Sequence, residues 1–109
     1  MRGKKENLPR DRSLSGKQRQ FLRAQAHSLS PLVMIGSAGL TFAVVKECDR
    51  ALAQHELIKV RIASSGDRLE REHTVTDLCM HTHAQPIALV GKVLIVYRAA
   101  AEPRLVLPE

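Results

Sequence analysis

The chain has 109 residues, 44% of them apolar, enough for one small packed domain and too few for two cores. Seventeen Lys and Arg against eleven Asp and Glu give a net charge of +6, which points to a polyanionic partner, nucleic acid ahead of an anionic membrane. No apolar run reaches the length of a membrane span or forms a secretory leader, and one Tyr, two Phe and no Trp argue against recognition by stacking bases on an aromatic platform. Residues 1–13 are polar, aperiodic and net +3, half of the excess charge, and read as a flexible basic arm or a solubilising tail. Ser15 and Gln18 then form a capping box that opens a helix to about Ser28. Its buried side holds Leu14, Phe21, Leu22, Ala26 and Leu29, and its exposed side Lys17, Arg19 and Arg23. Pro31 stops it, and Leu32-Val33-Met34-Ile35 reads as a short buried strand.

The next stretch, Ile35-Gly36-Ser37-Ala38-Gly39-Leu40-Thr41, is the most informative in the chain. Glycines at both corners let the backbone turn with positive φ and let another backbone approach closely. Loop amides followed at once by a helix start make a concave set of donors at a partial positive charge, a seat for a phosphate. KH domains clamp nucleic-acid backbone with the same Gly-x-x-Gly device, although a tight turn can carry the same residues.

Thr41 caps a second helix to about His55, with Val44, Val45, Cys48, Ala51 and Leu52 at helical spacing. Residues 57–63 alternate, Ile58, Val60 and Ile62 on one face and Lys59 and Arg61 on the other, as in a strand with one wet, basic face. Ser64-Ser65-Gly66 turns the chain, and Asp67 caps a third helix to about His83 with Leu69, Val75, Leu78, Cys79 and Thr82 inward. Residues 86–90 and 93–98 are apolar strands joined by Gly91-Lys92, the two residues of a tight hairpin. Residues 99–109, with Pro103 and Pro108, read as a loosely docked tail. The fold class is α/β, in the order α-β-α-β-α-β-β. Each strand–helix–strand unit implies parallel neighbouring strands, and helices must cover much of both sheet faces, with the basic strand as the gap in that cover.

Cys48 and Cys79 fall at apolar helix positions and read as reduced, space-filling thiols. His81 and His83, two apart on a helix, point in different directions and cannot share a metal ion. No carboxylate pair or nucleophile with a base is evident, so neither catalysis, cofactor, metal nor small-molecule substrate is expected. Lys17, Arg19 and Arg23 fit either a solvated helix face or a phosphate contact. Lys59 and Arg61 fit either edge protection or the same contact. Lys92 and Arg98 read as hairpin and strand-end charges, and the acids mixed into the third helix turn it away from a polyanion.

Four segments, in this order and spacing, resemble the CRM domain, the module named for chloroplast RNA splicing and ribosome maturation. They are Ala26-His27-Ser28-Leu29-Ser30-Pro31, the glycine loop with Leu40-Thr41, His55-Glu56-Leu57-Ile58-Lys59-Val60-Arg61-Ile62, and Gly91-Lys92-Val93-Leu94-Ile95-Val96-Tyr97-Arg98. The resemblance runs over 14–98, between the arm at 1–13 and the tail at 99–109. It implies a mixed four-stranded sheet similar to the C-terminal domain of translation initiation factor three. It also implies a stand-alone, cytoplasmic RNA-binding monomer that associates with ribosomal RNA in precursors of the large subunit. The RNA-contacting loop would be Gly36, Ser37, Ala38 and Gly39, supported by Lys17, Arg19, Arg23, Lys59, Arg61 and the arm. Family loops often hold a basic or amide residue between the glycines, and Ser37-Ala38 supplies neither. A translation-factor-like protein on finished ribosomes and a protein-interaction adaptor are the competing expectations.

Overall fold

The computed structural model describes residues 14–63 and 66–109, so the arm and the Ser64-Ser65 part of the expected turn lie outside the described residues. Helix α1 (Gly16–Ala26) opens on the expected capping box. The Ser15 hydroxyl accepts from the Gln18 amide at 3.1 Å, and the Gln18 side-chain oxygen accepts from the Ser15 amide at 2.9 Å. The helix ends two residues earlier than its apolar spacing predicts. His27 caps it, and Leu29, beyond the last turn, is exposed rather than buried.

Strand β1 (Val33–Ile35), helix α2 (Phe42–His55), strand β2 (Leu57–Ile62), helix α3 (Arg68–Thr82) and strands β3 (Gln85–Val90) and β4 (Val93–Tyr97) follow in the expected order. Thr41 and Asp67 cap α2 and α3 by accepting the amides of Val44 and Glu70. The sheet order is β1-β2-β4-β3. β1 runs parallel to β2, as the first crossover demands. The second crossover departs from the expected pattern: β3 is parallel to β2 but is not its neighbour. The Gly91-Lys92 hairpin folds β4 back into the space between them, antiparallel to both. Gly91 sits at φ 61° and Lys92 has no positive φ, the sign pattern of a two-residue turn with glycine first.

The sheet is covered on both faces. Against α2 and α3 lies the larger core, with Val33, Ile35, Ile58, Val60, Ile62, Leu94 and Val96 meeting Cys48, Leu52, Val75, Leu78 and Cys79. On the other face Leu57, Ile95 and Tyr97 pack against Leu14, Leu22 and Ala26, with Leu105 and Leu107 alongside. Both cysteines are buried and unbonded to each other, and burial, reinforced by Glu47 and Asp49, pushes the Cys48 thiol up to about 11. Leu69, expected inward, is 60% exposed. The buried stripe of α3 at 75, 78, 79 and 82 projects back onto Arg71 and Arg68, and Leu69 lies well off that line.

The tail is anchored, which corrects the expectation of loose docking. The Glu56 carboxylate accepts the amides of Ala100 at 2.9 Å, Arg104 at 3.1 Å and Leu105 at 2.9 Å, and Gln18 donates to the Pro108 carbonyl at 2.9 Å.

Candidate nucleic-acid interface

The Gly36-Ser37-Ala38-Gly39 segment is a hydrogen-bonded turn, the Gly39 amide donating to the Gly36 carbonyl at 2.9 Å. Gly39 has φ 77°, the left-handed region in which a side chain is strained, so the turn needs glycine there. Gly36 does not have a positive φ, which corrects the expectation of two left-handed corners, and a Cβ on it would meet nothing within 4 Å. The fold itself therefore makes no demand for glycine at 36. Ser37 and Ala38 are exposed at the tip. Three residues after Gly39, α2 begins at Phe42. Its cap hydroxyl takes the Val44 amide at 3.2 Å, and the amides of Phe42 and Ala43 stay unpaired among the described residues.

Register places the basic strand beside this turn. Met34 pairs with Arg61 and Ile35 with Ile62, and the Ala63 amide donates to the Ile35 carbonyl at 2.8 Å, one residue before Gly36. The Ile62 amide donates to the Lys92 carbonyl at 2.7 Å, so the hairpin closes the same end of the sheet. Lys59 and Arg61 face the α1 side, where the helix covers Leu57 but leaves Lys59 half-buried and Arg61 exposed. Met34, next to Arg61, is 57% exposed, and Leu32 is exposed below it. β1, β2 and β4 contain no acidic residue, and among the described residues neither Lys59 nor Arg61 has an ion-pair partner. β2 is an interior strand, flanked by β1 and β4, so edge protection does not account for its two cations.

The remaining basic residues divide. Lys17 and Arg23 are exposed on α1. Arg19 is engaged by the fold: its Nη2 donates to the Pro86 carbonyl at 2.7 Å and the Ile87 carbonyl at 3.4 Å. β3 carries an irregularity there, its register stepping from Pro86 to Ala88, and the guanidinium serves the carbonyls that the ladder leaves over. Arg98 donates to Asp49 at 2.6 Å and to the Thr82 carbonyl at 2.8 Å, at the opposite end of β4 from the hairpin. Phe42, which the apolar spacing of α2 left unassigned, is 79% exposed beside the turn, with Lys46 Nζ 5.6 Å from its ring centroid.

These features define a small α/β domain that presents a bare turn and an uncovered basic sheet face at one end. The chain belongs to the CRS1/YhbY (CRM) domain family, which matches residues 14–98. It is 41% identical over 96 residues to an RNA-binding protein of Haemophilus influenzae, covering 88% of this chain and 96% of that one. A protein of Pseudomonas aeruginosa, also named for RNA binding, is 33% identical over 84% of this chain and 86% of its own length. The solution structure of a Staphylococcus aureus candidate RNA-binding protein superposes with a TM-score of 0.75 at 28% identity, over 87% of this chain and 99% of that one.

Proposed function

We propose that this domain binds structured RNA through its phosphates, without catalysis, and assists assembly of the large ribosomal subunit. The amides of Ser37 and Ala38 at the tip of the turn and of Phe42 and Ala43 at the start of α2, which the turn's own hydrogen bonds do not use, seat one phosphate, and Lys59 and Arg61 take its neighbours along the strand. One observation carries the reading: two cations, without an acidic partner among the described residues, stand on the open face of an interior strand whose Arg61 end runs up to the turn. Membership of the family and relatives named for RNA binding support RNA as the polyanion. Ribosomal RNA in large-subunit precursors is the target that the family resemblance favours, met by a monomer in the cytoplasm.

Gly36→Asp tests the seat most cleanly, because neither φ nor a neighbouring atom penalises a side chain there. It should weaken binding to a structured RNA roughly tenfold while the melting temperature stays put, since a carboxylate then occupies the phosphate position. Unchanged affinity in the folded variant would sink the phosphate seat. A partner captured equally well after nuclease treatment would favour a protein adaptor instead.

A further inference from the structure

We propose that Phe42 is a stacking platform for a single unpaired base, so that the domain selects RNA with a bulged or looped nucleotide over an uninterrupted duplex. This rests on the phosphate-seat reading above and adds to it the class of RNA. Three Phe and Tyr side chains are too few for a surface that stacks a run of bases, but one exposed ring suffices for a single base: Tyr97 is buried and Phe21 half-buried in the α1 core, and Phe42 alone stands in the open. It serves no packing role: the buried positions of α2 are Cys48 and Leu52, and Phe42 lies off the line through them. Its place is specific, at the first helical position after the Thr41 cap, so its own amide is one of the open donors and its ring borders the seat. A strand whose phosphate sits on those amides must carry the attached base close by, and the ring offers that base an apolar face.

Charge around the ring suits the same occupant. Lys46, one turn along, holds its ammonium 5.6 Å from the ring centroid, which steadies the ring and places a cation where the next phosphate would run. Asp49, two turns along this side of α2, is paired with Arg98 at 2.6 Å, so its charge is offset. A base within a duplex has both faces covered by its stacked neighbours, so only an unpaired one can use the platform.

Two RNA hairpins with the same stem, one carrying a single bulged 2-aminopurine and one fully paired, should be titrated with wild type, Phe42→Ala, Phe42→Trp and Gly36→Asp. Phe42→Ala should weaken binding to the bulged hairpin by about 5- to 100-fold and leave the paired one unchanged. Phe42→Trp should restore the preference, and wild type should quench the 2-aminopurine fluorescence. Equal affinities of wild type and Phe42→Ala for the bulged RNA would overturn the platform. If Gly36→Asp still weakens both RNAs, the phosphate seat stands and only the platform falls. If neither variant affects either RNA, both readings fall.

Discussion

Glu56 is the C-cap of α2 at φ 64° and ψ −43°, a conformation that costs a non-glycine residue on the order of 1 kcal/mol or more, and its side chain is 1% exposed. The geometry is held because the residue joins three pieces of chain. Its amide closes the helix onto Leu52, its carbonyl takes the Arg98 amide at 2.8 Å, and its carboxylate takes three tail amides. Burial by itself would raise its pKa. The amides of Ala100, Leu105 and Arg104, with the Arg104 cation, outweigh that and hold it below the ordinary carboxylate value. A folded pKa below the unfolded one means that stability from this carboxylate is complete above the unfolded value, about 4.3. It is lost as pH falls through the lower folded value. Glu56→Gln should therefore cost about 1–3 kcal/mol at pH 7 in urea denaturation. It should also flatten the acid limb, so that wild type and variant converge once the pH has fallen below the folded value. A constant difference across that range would show that shape rather than charge holds the tail. None of this was legible beforehand: the helix spacing located the end of α2, but the three amides lie 44 to 49 residues further along.

At the scale of elements, the caps and alternation placed all seven, because a capping box, an Asp or Thr before an apolar stripe and a Gly-Lys hairpin are local devices. Legibility ended where an element runs past its packing partner. Leu29 and Leu69 have apolar side chains at the helix ends, and burial there depends on where the helix stops and where its stripe points, not on composition. The insertion of β4 between β2 and β3 was hidden for a related reason, since a helical crossover fixes relative direction and not adjacency. Knowing the order also separates cations that looked alike. Arg19→Ala should cost about 1–2 kcal/mol by freeing the β3 carbonyls, and should leave the salt dependence of RNA affinity near wild type. Replacing Lys59 and Arg61 together by Gln should do the reverse, leaving the melt nearly unchanged and flattening the plot of log affinity against log salt by about one to two units. If both variants keep the wild-type slope, the contact surface lies on other basic residues, Lys17, Arg23 or the arm.

For the molecule as a whole, charge is split between two places. Residues 1–13 carry net +3, and the rest of the chain carries the same excess over a much larger surface. Within the described residues, α3 and its cap mix Asp67, Glu70, Glu72 and Asp77 with arginines, whereas the open face of β2 carries Lys59 and Arg61 with no acid on the strand, the face that the proposed grip uses. An RNA grip built mainly on phosphates follows counterion release, and it weakens steeply as salt rises. On a low-salt gradient of cell lysate, the protein should sediment with immature large-subunit particles, at or just below the large-subunit peak. Raising the salt should strip it to the top. Deleting residues 1–13 should weaken the association without abolishing it, because half the net charge and the whole of the turn remain. Co-sedimentation with mature ribosomes and polysomes would replace the assembly role with a translational one. Failure to leave the top of the gradient at any salt would remove the ribosomal target, while the affinity of the Gly36→Asp variant for RNA would still decide whether the turn holds a phosphate.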